Sequence, residues 1–135
     1  MPKKALPKPT DAELAILRVL WKRGPSTVRD VTDALWDERG TGYTTALKLL
    51  QIMHDKGLVR RDDSQRTHVY AAVAAAQSTK QQLVQDLLDK AFGGSAQQLV
   101  LQALSSRKAS PAELAEIRKL LDEIELKSKS TEKSN

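Results

Sequence analysis

Four polar residues between positions 43 and 56, namely Thr44, Thr45, Lys48 and Gln51, have side chains suited to hydrogen bonding with nucleic acid. Thr44, Lys48, Gln51 and Asp55 gather on one side of a helix that turns by about 100° per residue, with Thr45 at the edge of that side. Asp55 would repel phosphates, so we expect it to lie beyond the DNA contact, at the far end of the helix. The opposite side carries the apolar residues Ala46, Leu49, Leu50 and Met53. A threonine hydroxyl donates or accepts at a base edge, and a lysine reaches a guanine edge or a phosphate. The pattern predicts a recognition helix, with an ordinary solvated helix face as the alternative.

Three further residues extend this candidate surface. Tyr43 stands where the helix begins, and the free backbone amides of a helix start bind phosphate. Arg60 and Arg61 are neighbours in a predicted strand, so at least one of them faces solvent, and Arg66 falls in the following turn. Residues 1–76 carry a net charge of +4, out of +5 for the whole chain. We expect DNA contacts from Tyr43, Arg60 and Arg66, with scattered solubility charges as the alternative.

The sequence contains no recognisable catalytic or metal-binding motif. It has no cysteine, which excludes disulfides, thiolate nucleophiles and iron–sulfur clusters. His54 and His68 fall on different predicted elements and lack the paired spacing of metal ligands. Neither a glycine-rich phosphate loop nor a nucleophile elbow occurs. We therefore expect no catalysis, metal or cofactor. Without an apolar run of about 18 residues we also expect no membrane insertion, and a cytoplasmic location.

Capping patterns and apolar spacing predict three helices in the N-terminal half. Thr10 and Glu13 form a capping box that begins the first helix. Ser26 or Thr27 begins the second helix, and Thr27 with Asp30 forms a weaker capping box. The apolar stripe of this helix consists of Val28, Val31 and Leu35. The third helix covers residues 43–56, because Gly57 occupies the position where a left-handed residue commonly ends a helix.

Two short extended segments follow the third helix. Residues 58–62 and 67–71 have strand-like patterning around the polar turn 63–66. Three helices followed by a hairpin is the element order of a winged helix-turn-helix. Tandem helices on an unrelated scaffold are the alternative. We therefore predict a mainly α fold in which a small β-hairpin forms the wing.

The C-terminal half predicts a helical unit that pairs two copies of the chain. Segments that begin at Ser78, Ser95 and Ser110 carry apolar residues at helical spacing, and the last has the spacing of a heptad seam. The residues expected at the dimer interface are Leu83, Leu87, Leu99, Leu104, Leu114, Ile117, Leu121 and Ile124. An intramolecular three-helix bundle is the alternative.

These patterns divide the chain into four parts. We expect a flexible basic arm over residues 1–9 and a winged-helix DNA-binding domain over 10–76. A helical dimerisation domain should cover residues 77–126. Residues 127–135 contain no apolar side chain, so we expect a disordered tail there.

Several motifs, in this order and spacing, resemble the penicillinase-repressor family, also called BlaI/MecI/CopY. The matching stretches are Tyr43-Thr44-Thr45, Phe92-Gly93-Gly94-Ser95 and residues 10–13, 17–21, 27–31, 56–59 and 114–123. The resemblance implies a homodimer that sits on a palindromic double-stranded operator and represses transcription. The DNA contacts that it implies are Tyr43, Thr44, Thr45, Lys48 and Arg66.

Two departures from the family bear on how repression is relieved. Copper-responsive members carry a C-terminal cysteine cluster, and this chain has no cysteine. Other members have a membrane sensor-protease system as a partner, which signals cleavage at an asparagine–phenylalanine pair in the dimerisation helices. The corresponding stretch here is Leu101-Gln102-Ala103-Leu104, which argues against proteolytic induction.

The competing function is that of a winged-helix adaptor that contacts other proteins and does not bind DNA. The two hypotheses differ in one measurable property. A repressor retards duplex DNA in dilute buffer, and an adaptor does not.

Overall fold

The computed structural model describes residues 7–133, with side chains through residue 131. The chain divides into two compact units, Met1–Leu87 and Leu88–Asn135. The elements are α1 (Asp11–Arg23), β1 (Ser26–Thr27), α2 (Val28–Arg39), α3 (Tyr43–Lys56), β2 (Val59–Asp62), β3 (Val69–Ala72), α4 (Ala76–Ala91), α5 (Ala96–Ser106) and α6 (Pro111–Lys133). The boundary between the units therefore falls inside α4.

The first unit contains a small antiparallel sheet with the strand order β1-β3-β2. β2 and β3 form the predicted hairpin, in which Arg61 pairs with Tyr70. The sequence did not predict β1, because two residues are too few to show alternation. Ser26 and Thr27 are extended by pairing with Tyr70 and Val69, which is a tertiary contact. Three helices with this hairpin confirm the predicted winged helix-turn-helix.

Side-chain caps begin α1 and α2, as predicted. The Thr10 hydroxyl accepts a hydrogen bond from the Glu13 backbone at 3.2 Å, and the Glu13 carboxylate accepts one from the Thr10 backbone at 2.9 Å. Thr27 and Asp30 make the same reciprocal pair, with both bonds at 3.1 Å. Each box satisfies two amides that the helix itself leaves without partners, which fixes where the helix begins.

The core of the first unit is aliphatic. Its most deeply buried hydrophobic side chains are Ile16, Val31, Leu35, Ala46, Leu50, Met53, Val59 and Tyr70. Ala46, Leu50 and Met53 form the inner side of α3 as predicted, whereas Leu49 is only half-buried and packs at the edge of the core. Since α3 is anchored through this inner side, its opposite side is free to face outward.

One ion pair, between a buried carboxylate and a partly exposed ammonium, joins α1 to the end of α3. The Lys56 ammonium lies 2.8 Å from Glu13 Oε2, and Glu13 is only 2% exposed. Burial by itself raises the pKa of Glu13, but hydrogen bonds from Lys56 and Thr10 and the positive charge of Lys56 outweigh it. The pKa of Glu13 therefore lies below its ordinary value, and the carboxylate stays ionised at neutral pH.

The second unit consists of the end of α4 with α5 and α6. Ser95 and Ser110 cap the last two helices, as their spacing predicted, through hydrogen bonds from the backbones of Gln98 at 3.2 Å and Glu113 at 3.1 Å. α4 begins at Ala76 and not at the expected Ser78. Alanine has the strongest helix propensity and glutamine a high one, so the helix begins two residues earlier, at Ala76 followed by Gln77.

The predicted domain boundary before residue 77 differs from the observed one after Leu87. The first turns of α4 belong to the first unit, where Thr79 is buried. Asp86 of α4 also binds the Lys8 ammonium at 3.0 Å, and Pro9 is buried. Lys8 and Pro9, at the end of the predicted arm, thus contact the first unit, and residues 1–6 lie outside the described part of the chain.

The predicted disordered tail from residue 127 is wrong as far as Lys133, because α6 continues to that residue. A helix extends without apolar residues when neighbouring side chains bond along it. Lys129 lies 3.2 Å from Glu125 one turn earlier. Residues 134–135 lie outside the described part.

Candidate nucleic-acid interface

The outer side of α3 presents the residues that the sequence selected. Thr44, Thr45, Lys48 and Gln51 are all exposed, and Tyr43 is 47% exposed at the start of the helix. The inner side of the same helix is fully buried at Ala46, Leu50 and Met53. The polar side of α3 therefore stands clear of the first unit, as a helix must before it can enter a DNA groove.

The start of α3 differs from the starts of α1 and α2. Its N-cap is Gly42, and no side chain caps the helix there. Its first backbone amides are therefore left without a side-chain acceptor, beside the exposed hydroxyls of Thr44 and Thr45. Backbone amides at a helix start, aided by the helix dipole, are suited to binding a phosphate group.

The wing is formed by β2, β3 and the loop of residues 63–68 between them. Arg60 on β2 and Arg66 in the loop are both exposed. Arg61 is half-buried and lies 2.7 Å from the Asp63 carboxylate, which raises the pKa of its guanidinium. Arg61 is thus committed to an ion pair within the wing, while Arg60 and Arg66 present their charges to solvent.

The acidic residues of the wing, Asp62 and Asp63, form hydrogen bonds or ion pairs with neighbouring wing residues. The Asp62 carboxylate accepts a hydrogen bond from the Ser64 backbone at 2.9 Å, and bonding to Ser64 lowers the pKa of Asp62. Asp63 lies close to Arg61 and also 3.6 Å from the His68 ring. The ion pair with Arg61 reduces the repulsion that Asp63 would otherwise exert on an approaching phosphate.

A cleft of about 350 Å³ lies between α2, the start of α3 and the wing. Tyr43 and Arg66, both predicted from the sequence, line it together with Arg29 and His68. The Arg29 guanidinium lies 5.5 Å from the centre of the Tyr43 ring, within the range of a cation–π contact. Arg60 is not among the described residues that line this cleft.

Arg29 is a candidate contact residue that the sequence prediction did not include. It lies next to Val28, at the first turn of α2, away from the buried face of that helix. A basic residue on the exposed side of a helix that precedes the recognition helix was the available signal. The proximity of Arg29 to Tyr43 and Arg66 is a tertiary fact that spacing along the chain does not reveal.

The described residues contain no cluster of His, Cys, Asp and Glu that could hold a metal ion. His54 on α3 and His68 in the wing are the two histidines of the chain, and His68 lies near Asp63. Within the same described part, no helix is long and apolar enough to cross a membrane.

The residues predicted at the dimer interface are exposed or half-buried in the single chain, and none is fully buried. Leu87 on α4 and Leu121 and Ile124 on α6 are 47%, 56% and 64% exposed. The other predicted residues are half-buried, namely Leu83, Leu99, Leu104, Leu114 and Ile117. Further exposed apolar residues, which the prediction did not include, are Val84, Val100, Leu101, Leu120 and Leu126.

Comparison with known proteins places this architecture in one family. Residues 9–123 match the family described as penicillinase repressor. The transcriptional regulator BlaI of Mycobacterium tuberculosis is 34% identical over 116 residues, covering 85% of this chain and 83% of that protein. The penicillinase repressor of Staphylococcus aureus is 20% identical over 116 residues, covering 86% and 92%.

One solved structure is similar to about half of this chain. It is the solution structure of the monomeric form of Bacillus licheniformis BlaI in complex with the blaP half-operator. It is 23% identical, covers 54% of this chain and 89% of that one, and superposes with a TM-score of 0.48. The match of residues 9–123 and the 34% identity to the mycobacterial regulator establish that the chain belongs to the penicillinase repressor family.

Proposed function

We propose that this chain is a transcriptional repressor that binds double-stranded operator DNA as a homodimer. The observation that carries the proposal is the exposed polar side of α3 beside an exposed basic wing. Membership in a family of repressors supports it, and one relative of known structure was determined in complex with a half-operator. The chemistry of the surface fits this function residue by residue.

The first two turns of α3 are suited to reading base edges in the major groove. The hydroxyls of Thr44 and Thr45 can donate or accept, and their methyl groups can contact thymine methyls. Lys48, one turn further along, can donate to a guanine edge, and Gln51 can pair with adenine. Because the N-terminal residues of a recognition helix enter the groove first, Thr44, Thr45 and Lys48 lead the proposed base-reading set, and Gln51 follows them in the third turn.

The surrounding cations are suited to holding the phosphate backbone. Arg29 and Arg66 line the cleft beside Tyr43, next to the free amides that begin α3. Arg60 adds an exposed charge on β2. Contacts of this kind fix the register of a protein on DNA and make its affinity depend on salt, but they do not select a sequence.

Exposed apolar residues in the second unit support the proposed homodimer. Leu121 and Ile124 lie on α6 at a spacing of three residues and are more than half exposed. Apolar residues repeated at intervals of three and four form the seam between paired helices. A dimer with twofold symmetry presents two copies of α3, which matches a palindromic operator with half-sites about 10 base pairs apart, or a multiple of that spacing.

Selection from a pool of random duplexes tests the proposal and identifies the operator sequence in the same experiment. The full chain should enrich a palindromic sequence and bind it about a thousandfold or more tighter than a scrambled duplex of equal composition. The logarithm of the affinity should fall with the logarithm of salt at about −0.9 per phosphate contact. Equal binding of both duplexes, or none in dilute buffer, would favour the protein-interaction adaptor.

A further inference from the structure

A second cleft lies within the first unit, between α1 and the first turns of α4. Its volume is about 380 Å³, and apolar side chains form most of its wall. The apolar lining residues are Leu14, Trp21, Ala76 and Leu83. The indole N–H of Trp21 already donates to the Ala74 carbonyl at 3.0 Å, so the ring has no unmet hydrogen bond and acts as apolar surface. None of the residues assigned to DNA contact lines this cleft.

The remaining described residues that line this cleft are all cationic. They are Arg18 and Lys22 on α1 and Lys80 on α4. Arg18 lies 3.8 Å from Glu38, but both side chains are more than half exposed, so this pair is weak. The described lining contains no carboxylate. An apolar wall edged by positive charge is complementary to a molecule with an apolar body and one negative end.

We propose that this cleft binds a small organic carboxylate with an aromatic or aliphatic body. Ligand sites are mostly apolar, have volumes of about 300–1,000 Å³, and orient the ligand with a few polar groups. The cleft meets each of these conditions. In the proposed arrangement the apolar body lies against Leu14 and Trp21, and the carboxylate lies near Lys22 and Lys80, all of which line the cleft. The proposal is independent of DNA binding, because it concerns a different face of the unit.

The two tryptophans provide a direct assay with an internal reference. Trp21 lines the cleft, whereas Trp36 lies on α2 and is 60% exposed. In nitrogen–proton correlation spectra of the full chain without DNA, benzoate and octanoate titrated into the millimolar range should shift the Trp21 indole signal and saturate. The Trp36 signal should stay in place. Benzyl alcohol and octanol, which lack the charge, should bind at least about twofold more weakly, as expected for exposed ion pairs.

A charge placed inside the cleft tests the site itself. Ala76 is the first residue of α4 and lines the cleft, while its neighbour Gln77 does not. Both Ala76→Glu and Gln77→Glu add a carboxylate to the first turn of the helix, where the helix dipole favours it. Ala76→Glu should weaken benzoate binding by about fivefold or more, and Gln77→Glu by less than about twofold. Lys22→Gln with Lys80→Gln should weaken it about two- to fivefold.

Three outcomes would overturn the proposal. The first is that neither carboxylate moves the Trp21 signal, or that both move Trp36 as much. The second is that the neutral alcohols bind as tightly as the carboxylates. The third is that Ala76→Glu and Gln77→Glu have equal effects. DNA binding is absent from this assay, so its failure leaves the proposed repressor function untouched, and failure of DNA binding leaves this site untouched.

Discussion

The two units of the chain differ in how far their apolar residues are buried. In the described part of the chain, every buried hydrophobic residue lies between Ala15 and Tyr70, inside the first unit. In the second unit, α5 has no buried residue, and Leu121 and Ile124 on α6 are more than half exposed. The first unit therefore contains the core that stabilises it, whereas the second presents apolar surface that a second copy can cover.

This difference assigns the two parts of the proposed function, DNA binding and pairing, to different units. The position of α3 depends on Ala46, Leu50 and Met53, which belong to the first unit alone. The proposed pairing of two copies would use the exposed apolar residues of the second unit. Both tryptophans, Trp21 and Trp36, lie in the first unit, so tryptophan fluorescence follows its unfolding while molecular mass follows pairing.

The largest expected effect is on pairing. Leu121→Asp should place a charge in the seam of each copy, at a cost of about 3–5 kcal/mol for each buried and unpaired carboxylate. Sedimentation should then give the monomer mass of 14.9 kDa instead of about twice that value. Tryptophan-detected unfolding should stay unchanged.

Lys119→Asp is the matched control on the same helix. Lys119 is exposed and lies two positions from Leu121, on a different side of α6, so its replacement should leave the dimer intact. An unchanged mass for Leu121→Asp would locate the seam elsewhere. A large loss in tryptophan-detected stability would show that the units are not independent.

The next effect concerns the core of the first unit. Leu50→Ala removes a fully buried side chain of α3 and should lower the free energy of unfolding by about 2–5 kcal/mol. Leu126→Ala, on the 68% exposed side chain of α6, should change the same tryptophan-detected free energy by less than about 0.5 kcal/mol. Urea titration measures both. Equal losses would contradict the contrast between the two units.

A smaller effect is expected on DNA affinity, from substitutions that leave folding and pairing unchanged. Lys48→Ala should weaken binding to the selected duplex by about 1–3 kcal/mol if Lys48 reads a base, with less loss on a scrambled duplex. Arg29→Ala should weaken both duplexes alike and reduce the salt slope by about 0.9. Fluorescence anisotropy measures these affinities, and Lys108→Ala, at an exposed position in the second unit, serves as the control.

If Lys48→Ala weakens both duplexes equally, then Lys48 is a backbone contact and the base-reading set is smaller. If Lys108→Ala has the same effect as Lys48→Ala, binding depends on total charge and not on the face of α3. Mass and tryptophan-detected stability should match the parent chain in each variant, because none of these residues is buried.

The parts of the fold that sequence predicted are those that local chemistry determines. Thr10 with Glu13 fixes the start of α1, and Gly57, with a φ of 84°, ends α3 in the left-handed conformation that glycine readily adopts. The exposed side of α3 also followed from spacing, because a helix with one apolar stripe has only one side left for solvent.

The parts that sequence missed depend on contacts between distant segments. β1 forms because its residue Ser26 pairs with Tyr70 of β3. Arg29 belongs to the candidate site because α2 lies beside Tyr43 and the wing. The end of α6 was missed for another reason. Residues 127–135 contain no apolar side chain, which predicted disorder. Ion pairs one turn apart, such as that of Lys129 with Glu125, support a helix that packs against nothing.

The smallest expected effect isolates one charge in the first unit. Glu13→Gln keeps the capping box, because glutamine also serves at that position, but it removes the ion pair with Lys56. Tryptophan-detected unfolding at pH 7 should show a loss of about 1–2 kcal/mol. Glu113→Gln is the matched control in the second unit, since Glu113 occupies the equivalent position after Ser110 and is exposed. It should change stability by less than about 0.5 kcal/mol.

The pH dependence then identifies the charge of Glu13 as the cause. Burial raises the pKa of Glu13, but the bonds from Lys56 and Thr10 outweigh it, so the folded pKa lies below the ordinary 4.5. The ion pair therefore stabilises the fold fully above pH 4.5, and that contribution is lost as the pH falls through the folded pKa. The gap between the parent chain and Glu13→Gln should close over this acid range, because the carboxyl is then neutral in both folded and unfolded chains. A gap that stays constant from neutral to acid pH would mean that the carboxylate contributes through packing and not through its charge.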